Sequence, residues 1–297
     1  MKELVVISGK GGTGKTSIVA CFAALASENG GAVLADCDVD AADLHLVLEP
    51  EVKHREPFSG GREAVIREQD CTGCGECLAR CRFDAVKRDE GKAGDAGFSI
   101  DPISCEGCGV CVHFCPVGAI DFPEKVNGEW FVSETRHGPM VHAKLGIAEE
   151  NSGKLVSIVR NKAREVAEER GLDTIIVDGS PGIGCPVIAS LSGASQVLVI
   201  TEPTLSGEHD LGRVLDLAEH FRIPAAVCVN KADLNVEIAD GIASGARARG
   251  VPTLGRIRYD STVTAAQVAG RAVVEQNSGP AAEDIRSVWE ELCRRME

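Results

Sequence analysis

Basic residues are in deficit in this 297-residue chain: 31 Lys and Arg stand against 45 Asp and Glu, a formal net charge of −14. That balance argues against a general nucleic-acid binder, which presents a basic face to phosphate backbones. Long apolar runs are lacking as well, and none approaches the ~18 residues that span a bilayer. The opening residues, MKELVVISGKGG, have neither the charged start nor the cleavage site of a signal peptide. These absences point to a cytoplasmic protein with no nucleic-acid partner and no stable membrane association. What remains is an ordinary globular composition, 44% hydrophobic and 26% charged, in a chain long enough to bury a sizeable core.

Cysteine departs from that ordinariness. There are thirteen, and in a reducing compartment such a number suggests metal ligation more than disulfides. Eight lie in two tight runs between positions 71 and 115, while Cys21, Cys37, Cys185, Cys228 and Cys293 are scattered singly.

Residues 4–7 and 32–36 are continuous apolar runs that read as buried parallel strands, with a helix between them over 16–30. Residues 174–178, 196–201 and 224–230 are further short apolar runs, each followed by a stretch able to form a helix. Strands alternating with helices predict an α/β fold with a doubly wound, mostly parallel sheet. Residues 62–124 interrupt the rhythm: cysteine, glycine and aspartate rise and apolar periodicity fades. There, CTGCGECLARCRFDAV and CEGCGVCVHFCPVGAI align without a gap, 34 residues apart. The expected organisation is one α/β domain in two parts, 1–61 and 125–297, with an insert at 62–124. The C-terminal AEDIRSVWEELCRRME places Ile285, Val288, Trp289, Leu292 and Met296 on one helical face. Its polar face is acidic, so the expectation is a helix packed on the core and not on a membrane.

GKGGTGKT, residues 9–16, matches G-x-x-x-x-G-K-[ST] between a strand and a helix. Gly11, Gly12 and Gly14 let backbone N–H groups turn onto phosphates, with Thr13 and Ser17 in the same turn. Lys15 supplies charge to the β/γ oxygens, and the Thr16 hydroxyl suits Mg²⁺. A plain phosphate loop has no need of Lys10. With it, residues 10–16 resemble the deviant loop K-G-G-x-G-K-[ST] of the MinD/ParA P-loop ATPases. The resemblance implies ATP and Mg²⁺, hydrolysis, and an ATP-joined dimer, either a homodimer or a heterodimer with a paralogous ATPase, in which Lys10 reaches the partner's nucleotide. It places Asp36 with the metal and Asp38 with the attacking water, Asp40 and Asp43 being near enough to share these roles. It makes Asp178, closing TIIVD, the Walker B carboxylate, although Ser180 stands where relatives often have proline. Asn230 and Asp233 of NKAD would meet the base. NKxD also reads guanine in GTPases, and Lys10 is what favours ATP. In RIRYD, Arg258 stands where relatives tend to have proline, which leaves the far side of the base pocket open. ENSGKLV, 150–156, resembles a signature of ATPases carrying this kind of insert, with Asn151 and Lys154 near the nucleotide or dimer face; a capped helix start is the plainer reading.

Cys71, Cys74, Cys77 and Cys81 are spaced C-x2-C-x2-C-x3-C; Cys105, Cys108, Cys111 and Cys115 repeat the spacing, and Pro116 completes a C-P ending. The pattern resembles that of two-cluster bacterial ferredoxins, in which the fourth cysteine of each run serves the other cluster. The resemblance implies one 4Fe–4S cluster on Cys71, Cys74, Cys77 and Cys115, and a second on Cys81, Cys105, Cys108 and Cys111. Zinc is the alternative, but zinc pairs are usually C-x2-C units separated by a long gap. Arg82, where proline would follow the first run, is expected to place a cation beside that cluster. The nitrogenase iron protein, a cousin of the ATPase group, bridges a cluster from cysteines near its switches, and Cys185 lies just past the second switch. A small buried thiol is nevertheless the expectation for Cys185 and the other four.

The combined expectation is a P-loop ATPase with an inserted α+β ferredoxin-like domain, whose nucleotide-driven dimer switch gates electron transfer to a redox partner protein. One alternative is an iron–sulfur carrier or maturation factor. Such carriers usually hold a labile cluster on a C-x-x-C shared across the dimer, and no C-x-x-C exists outside the insert. Another is a MinD-type positioning switch that senses redox state.

Overall fold

The computed structural model describes residues 1–88, 97–146, 152–276 and 279–296. Asn151, singled out above, lies outside the described residues. From the N-terminus the chain forms β1 (Lys2–Ser8), α1 (Lys15–Ser27), β2 (Val33–Asp36), α2 (Leu44–Leu48) and β3 (Glu51–Arg62). The cysteine-rich stretch follows as β4 (Val65–Ile66), α3 (Glu76–Arg80), β5 (Val86–Arg88), β6 (Phe98–Ile100), α4 (Val110–Phe114) and β7 (Ile120–Asp121). Next come β8 (Glu124–Thr135), β9 (Gly138–Leu145), α5 (Ser152–Arg170), β10 (Thr174–Pro181), α6 (Cys185–Leu191) and β11 (Gln196–Thr201). The chain closes with α7 (Leu205–His220), β12 (Ala225–Asn230), α8 (Val236–Ala248), β13 (Thr253–Ile257), α9 (Ser261–Val268) and α10 (Pro280–Met296). No helix among the described residues is long and apolar enough to cross a membrane.

The chain divides into two compact units, one of Met1–Glu56, Trp130–Lys144 and Ser152–Glu297, the other of Pro57–Glu129 and Leu145–Asn151. The second takes in more than the cysteine-rich stretch because the end of β3 and the start of β8 are part of it.

The large sheet has the order β13-β12-β11-β1-β10-β2-β9-β8-β3, and every pair from β13 to β9 is parallel. Two residues, Arg136 and His137, join β8 to β9, a connection only antiparallel neighbours can make. The sheet is therefore mostly parallel. Each apolar run read from the sequence is one of its strands, and β1, β2, β10 and β11 carry fully buried Val, Ile and Leu, as a sheet covered on both faces requires. α1 is buried along Ile18–Ala26 because neighbours surround it; its Phe22 ring lies 5.1 Å from that of Trp289. α10 buries Ile285, Val288, Trp289 and Leu292 in this core and packs Met296 against it, as its apolar face predicts. β1 is fastened to α5 by a buried ion pair: Arg160 Nε stands 2.6 Å from Glu3 Oε1, and its Nη1 donates to the carbonyls of Ala189 and Ser192.

A second, partly buried cluster should make the fold acid-sensitive. Arg136 Nη2 lies 2.8 Å from Glu275 Oε2 and donates to the carbonyls of Val47 and Gly270 at 2.9 Å. Burial alone would raise the Glu275 pKa, but Arg136 and the Ala272 N–H outweigh it and bring it from an ordinary 4.5 to about 2. A depressed carboxylate stabilises the fold above its unfolded pKa, and that contribution is lost as pH falls through the folded value. Stability is thus expected to decline between about pH 4.5 and 2. Glu275→Gln should cost on the order of 2 kcal/mol at neutral pH and flatten that acid limb in urea unfolding.

The second unit is built from two small antiparallel ladders, β4 with β7 and β5 with β6, and from two one-turn helices, α3 and α4, that pack on each other. Its buried cluster is Ala64, Cys77, Val86, Phe98 and Ile120, with further cysteines packed round it. So few apolar side chains make a thin core for a unit of this size.

Candidate functional site

β1 ends at Ser8 and α1 begins at Lys15, so residues 9–14 must reverse the chain tightly. Gly12 and Gly14 take left-handed φ of 79° and 87°. Gly14 caps α1 without any side-chain hydrogen bond, which leaves the N–H groups of the first turn for a ligand and gives it the positive end of the helix dipole.

Lys15 is buried, its Nζ 2.5 Å from Asp178 Oδ1, 3.4 Å from Asp38 Oδ2 and 3.5 Å from Thr16 Oγ1. Asp36 Oδ1 accepts the Asp38 N–H at 3.1 Å. Asp36 closes β2 and Asp178 lies in β10, so parallel register carries both to the carboxyl end of the sheet, where open α/β folds bind ligands. Three buried carboxylates thus face one ammonium. Burial, reinforced by Asp178, pushes Asp36 well above the usual carboxylate range. Burial also raises Asp38, to about 6, against the pull of Lys15. For Lys15 burial works downward, but Asp178, Asp38 and Asp36 hold it above its ordinary value.

Asp36 Oδ2, Asp178 Oδ2 and Thr13 Oγ1 are buried without a hydrogen-bond partner. Orphaned buried oxygens are rare and call for a ligand. A hard cation suits them: Mg²⁺ takes one or two carboxylates and fills its octahedron with water and phosphate oxygens. The donor chemistry of Thr16, Asp36 and Asp178 fits that ion.

Lys10 lies apart from this group. Its Nζ is 2.5 Å from Glu202 Oε1, 3.0 Å from Ser206 Oγ and 3.4 Å from Thr204 Oγ1. Lys231 Nζ approaches the other Glu202 oxygen at 3.4 Å. Burial works to raise Glu202, yet the two lysines keep it below its ordinary pKa. Asn230 donates to the Thr13 carbonyl at 2.7 Å, and Asp233 Oδ1 accepts the Tyr259 N–H at 2.6 Å. Beside them opens a half-enclosed, mainly apolar cavity walled by Gly14, Ser17, Asn230, Ile257, Val263 and Gln267, among others. Gln267, which donates to Ser17 Oγ at 2.7 Å, has no motif to announce it. Arg258 is drawn to Asp284 on α10, at 2.8 Å, and is absent from the walls.

In the second unit the eight clustered cysteines rim two cavities. One is lined by Cys71, Cys74, Cys77 and Cys115, the other by Cys81, Cys105, Cys108 and Cys111. Each set takes three thiols from one run and the fourth from the other. The local cause is that Cys81 and Cys115 follow directly on α3 and α4, and the packing of these helices carries each fourth cysteine to the opposite run. Gly75 and Gly109 start the two helices with matching φ of 78° and 72°. At Gly107 an added Cβ would come 2.1 Å from the Arg62 carbonyl oxygen, so only glycine fits. Ala119 N–H donates to Cys115 Sγ at 3.3 Å. Burial tends to raise Cys81, but the N–H groups of Phe83, Ala85 and Val86 outweigh it and lower the thiol.

Among the described residues no group of three or more His, Cys, Asp or Glu is arranged to hold a metal ion. A mononuclear tetrahedral site would draw its sulfurs to within ~4 Å of each other. Four thiols spread round a cavity, with backbone N–H groups aimed at sulfur, fit a polynuclear group.

Three expectations are corrected. Arg82 reaches neither cavity; it is exposed, its guanidinium 5.2 Å from the Phe83 ring centroid. Arg80 lines the second cavity in its place. Cys185 is exposed at the start of α6, with Gly153 against it, and Cys293 is only partly buried, whereas Cys21, Cys37 and Cys228 are buried as expected. Lys154 is exposed on α5, a position compatible with a dimer face.

The chain matches the CobQ/CobB/MinD/ParA nucleotide binding domain over residues 4–273. It is 36% identical over 239 residues to the uncharacterized protein MJ0578 of Methanocaldococcus jannaschii, covering 78% of this chain and 79% of that protein. A chain of the MinC:MinD cell division protein complex of Aquifex aeolicus superposes with a TM-score of 0.58 at 18% identity, over 99% of this chain and 96% of that one. The cell division ATPase MinD of Pyrococcus furiosus gives the same TM-score at 16% identity, over 99% of both chains. At these identities the structural likeness concerns the fold.

Proposed function

Because this chain belongs to the CobQ/CobB/MinD/ParA nucleotide-binding family and is a P-loop ATPase, we propose that it couples an ATP-driven switch to electron transfer through two 4Fe–4S clusters. The observation that carries the reading is the exchange of fourth cysteines between the two cavities. A disulfide framework or separate single-metal knuckles would have no use for it. Bound clusters would supply one-electron chemistry; the chain supplies thiols, N–H donors to sulfur and a small apolar surround.

At the nucleotide, Lys15 holds the β/γ oxygens, Thr16, Asp36 and Asp178 serve Mg²⁺ directly or through water, and Asp38 orients the attacking water. Asn230 and the cavity beside Gly14 take the adenine. Lys10 acts across an ATP-joined dimer once it leaves Glu202, and Asp233 fixes the loop that carries Tyr259. A redox partner protein receives the electron. An ion pair that must break before Lys10 can reach a second subunit gives the switch a resting state.

The test is ATP hydrolysis by anaerobically purified protein with its clusters oxidised and then dithionite-reduced, iron being followed throughout. The reading expects a rate that changes with redox state while roughly eight irons per chain stay bound. Iron leaving during turnover would move the assignment to cluster delivery. An unchanged rate with retained iron would reduce the second unit to a docking or structural part.

A further inference from the structure

The two thiol sets are near copies, and they differ in charge. In the repeat, Thr72, Glu76 and Arg80 correspond to Glu106, Val110 and Phe114. α3 is a single turn running from Glu76 to Arg80, so these two side chains share a face, Arg80 Nε 3.4 Å from Glu76 Oε2. Glu76 lines the cavity of Cys71, Cys74, Cys77 and Cys115, and among the described residues it is the only Asp, Glu, Lys or Arg there. Arg80 lines the cavity of Cys81, Cys105, Cys108 and Cys111, where exposed Glu106 accompanies it. Phe114, the counterpart of Arg80, lines neither cavity. Its ring instead lies beneath the Arg80 guanidinium, 4.0 Å from centroid to carbon, and such a cation–π contact holds the arginine over the second cavity.

We propose that the Glu76–Arg80 pair sets the reduction potentials of the two clusters apart, with the site of Cys81, Cys105, Cys108 and Cys111 the higher. The inference rests on the cluster reading above. An electron added to an anionic site is favoured by a neighbouring cation and opposed by a neighbouring carboxylate, and net charge is among the levers that set cluster potentials. The pair is about half exposed, so solvent and salt screen it. The expected separation owed to Arg80 is correspondingly modest, about tenfold in the equilibrium constant, or ~59 mV for one electron. Arg80 is a positioning residue for charge and touches no reacting group of a substrate.

The experiment is a redox titration of the full chain, reconstituted anaerobically, with iron and sulfide measured first and each wave followed by electron paramagnetic resonance. Wild type should give two waves. Arg80→Gln should lower the upper wave about tenfold in equilibrium constant and leave the lower one in place. Glu76→Gln should raise the lower wave. Arg80→Lys, which keeps the charge and loses the flat contact with Phe114, should hold the upper wave near wild type. Coincident waves in wild type, or no selective shift in Arg80→Gln at wild-type iron content, would overturn the inference while leaving the clusters in place. A chain that takes up no iron would remove the cluster reading and this inference with it.

Discussion

Replacing Lys15 with Gln should abolish ATP hydrolysis, by at least about a hundredfold, and should also weaken the fold. Both effects come from one geometry. On the proposed reading the ammonium would neutralise charge that builds on the transferring phosphoryl oxygens, and glutamine offers only a neutral donor. In the fold itself the same ammonium is 2.5 Å from Asp178 and 3.4 Å from Asp38, with Asp36 also acting on it. Removing one partner of a buried pair strands the other and costs roughly 3–5 kcal/mol. Part of that cost is recovered when a stranded carboxylate takes a proton, so about 3 kcal/mol is the expected loss in urea unfolding at neutral pH. Two companions separate the effects. Mg²⁺ should restore some stability to Lys15→Gln, because a divalent cation replaces the missing charge among the same oxygens. Lys15→Gln combined with Asp178→Asn should regain most of the stability and none of the activity. A Lys15→Gln protein as stable as wild type would mean that the carboxylates do not depend on this lysine, and retained hydrolysis would end the phosphate-loop assignment.

The parts legible in the sequence are those fixed by local pattern. Continuous Val, Ile and Leu runs announce strands covered on both faces, and β1, β2, β10, β11 and β12 are such strands. The edge strand β3 carries no such signal, because EVKHREP is charged and exposed along its first seven residues. Cysteine spacing locates the eight thiols, and the ferredoxin resemblance implies the exchange of each run's fourth cysteine between the two cavities. Distant pairings have no local trace. Nothing near Lys10 in the chain points to Glu202, nothing near Ser17 to Gln267, and nothing near Glu3 to Arg160. The exchange of Arg82 for Arg80 shows the boundary well. Both flank Cys81, but Arg80 is the last residue of α3 and keeps its place on the helix face, whereas Arg82 follows after the chain has left the helix. Sequence adjacency puts a cation near a thiol; one helical turn decides which cation and which cavity. Cys185 illustrates the same point: it is exposed at the first position of α6 although its sequence neighbours are apolar.

Cys115→Ala should halve the iron bound per chain, and the second substitution added to it should decide the ligand sets. If Cys115 completes the cavity of Cys71, Cys74 and Cys77, then adding Cys71→Ala removes nothing further, because both thiols serve one cluster. Adding Cys105→Ala should remove the remaining iron, because that thiol lines the other cavity. Ligation within each run predicts the opposite outcome, with Cys105 redundant and Cys71 decisive. Strong non-additivity within a shared site and independence between sites is the behaviour of groups that act as a unit, so the two arrangements cannot give the same table of iron contents. Loss of both clusters should carry a structural consequence as well. The second unit's buried apolar side chains are few and mostly small, with Phe58, Ala64, Ala85, Val86, Phe98, Ala119 and Ile120 beside its thiols among the described residues, and a core that thin is ordinarily held by a metal or other staple. Cys105→Ala with Cys115→Ala should therefore become sensitive to limited proteolysis within residues 57–129 while the α/β unit stays resistant. Full protection of that stretch in the iron-free double variant would show that the apolar core suffices alone and that the thiols are not what holds it together.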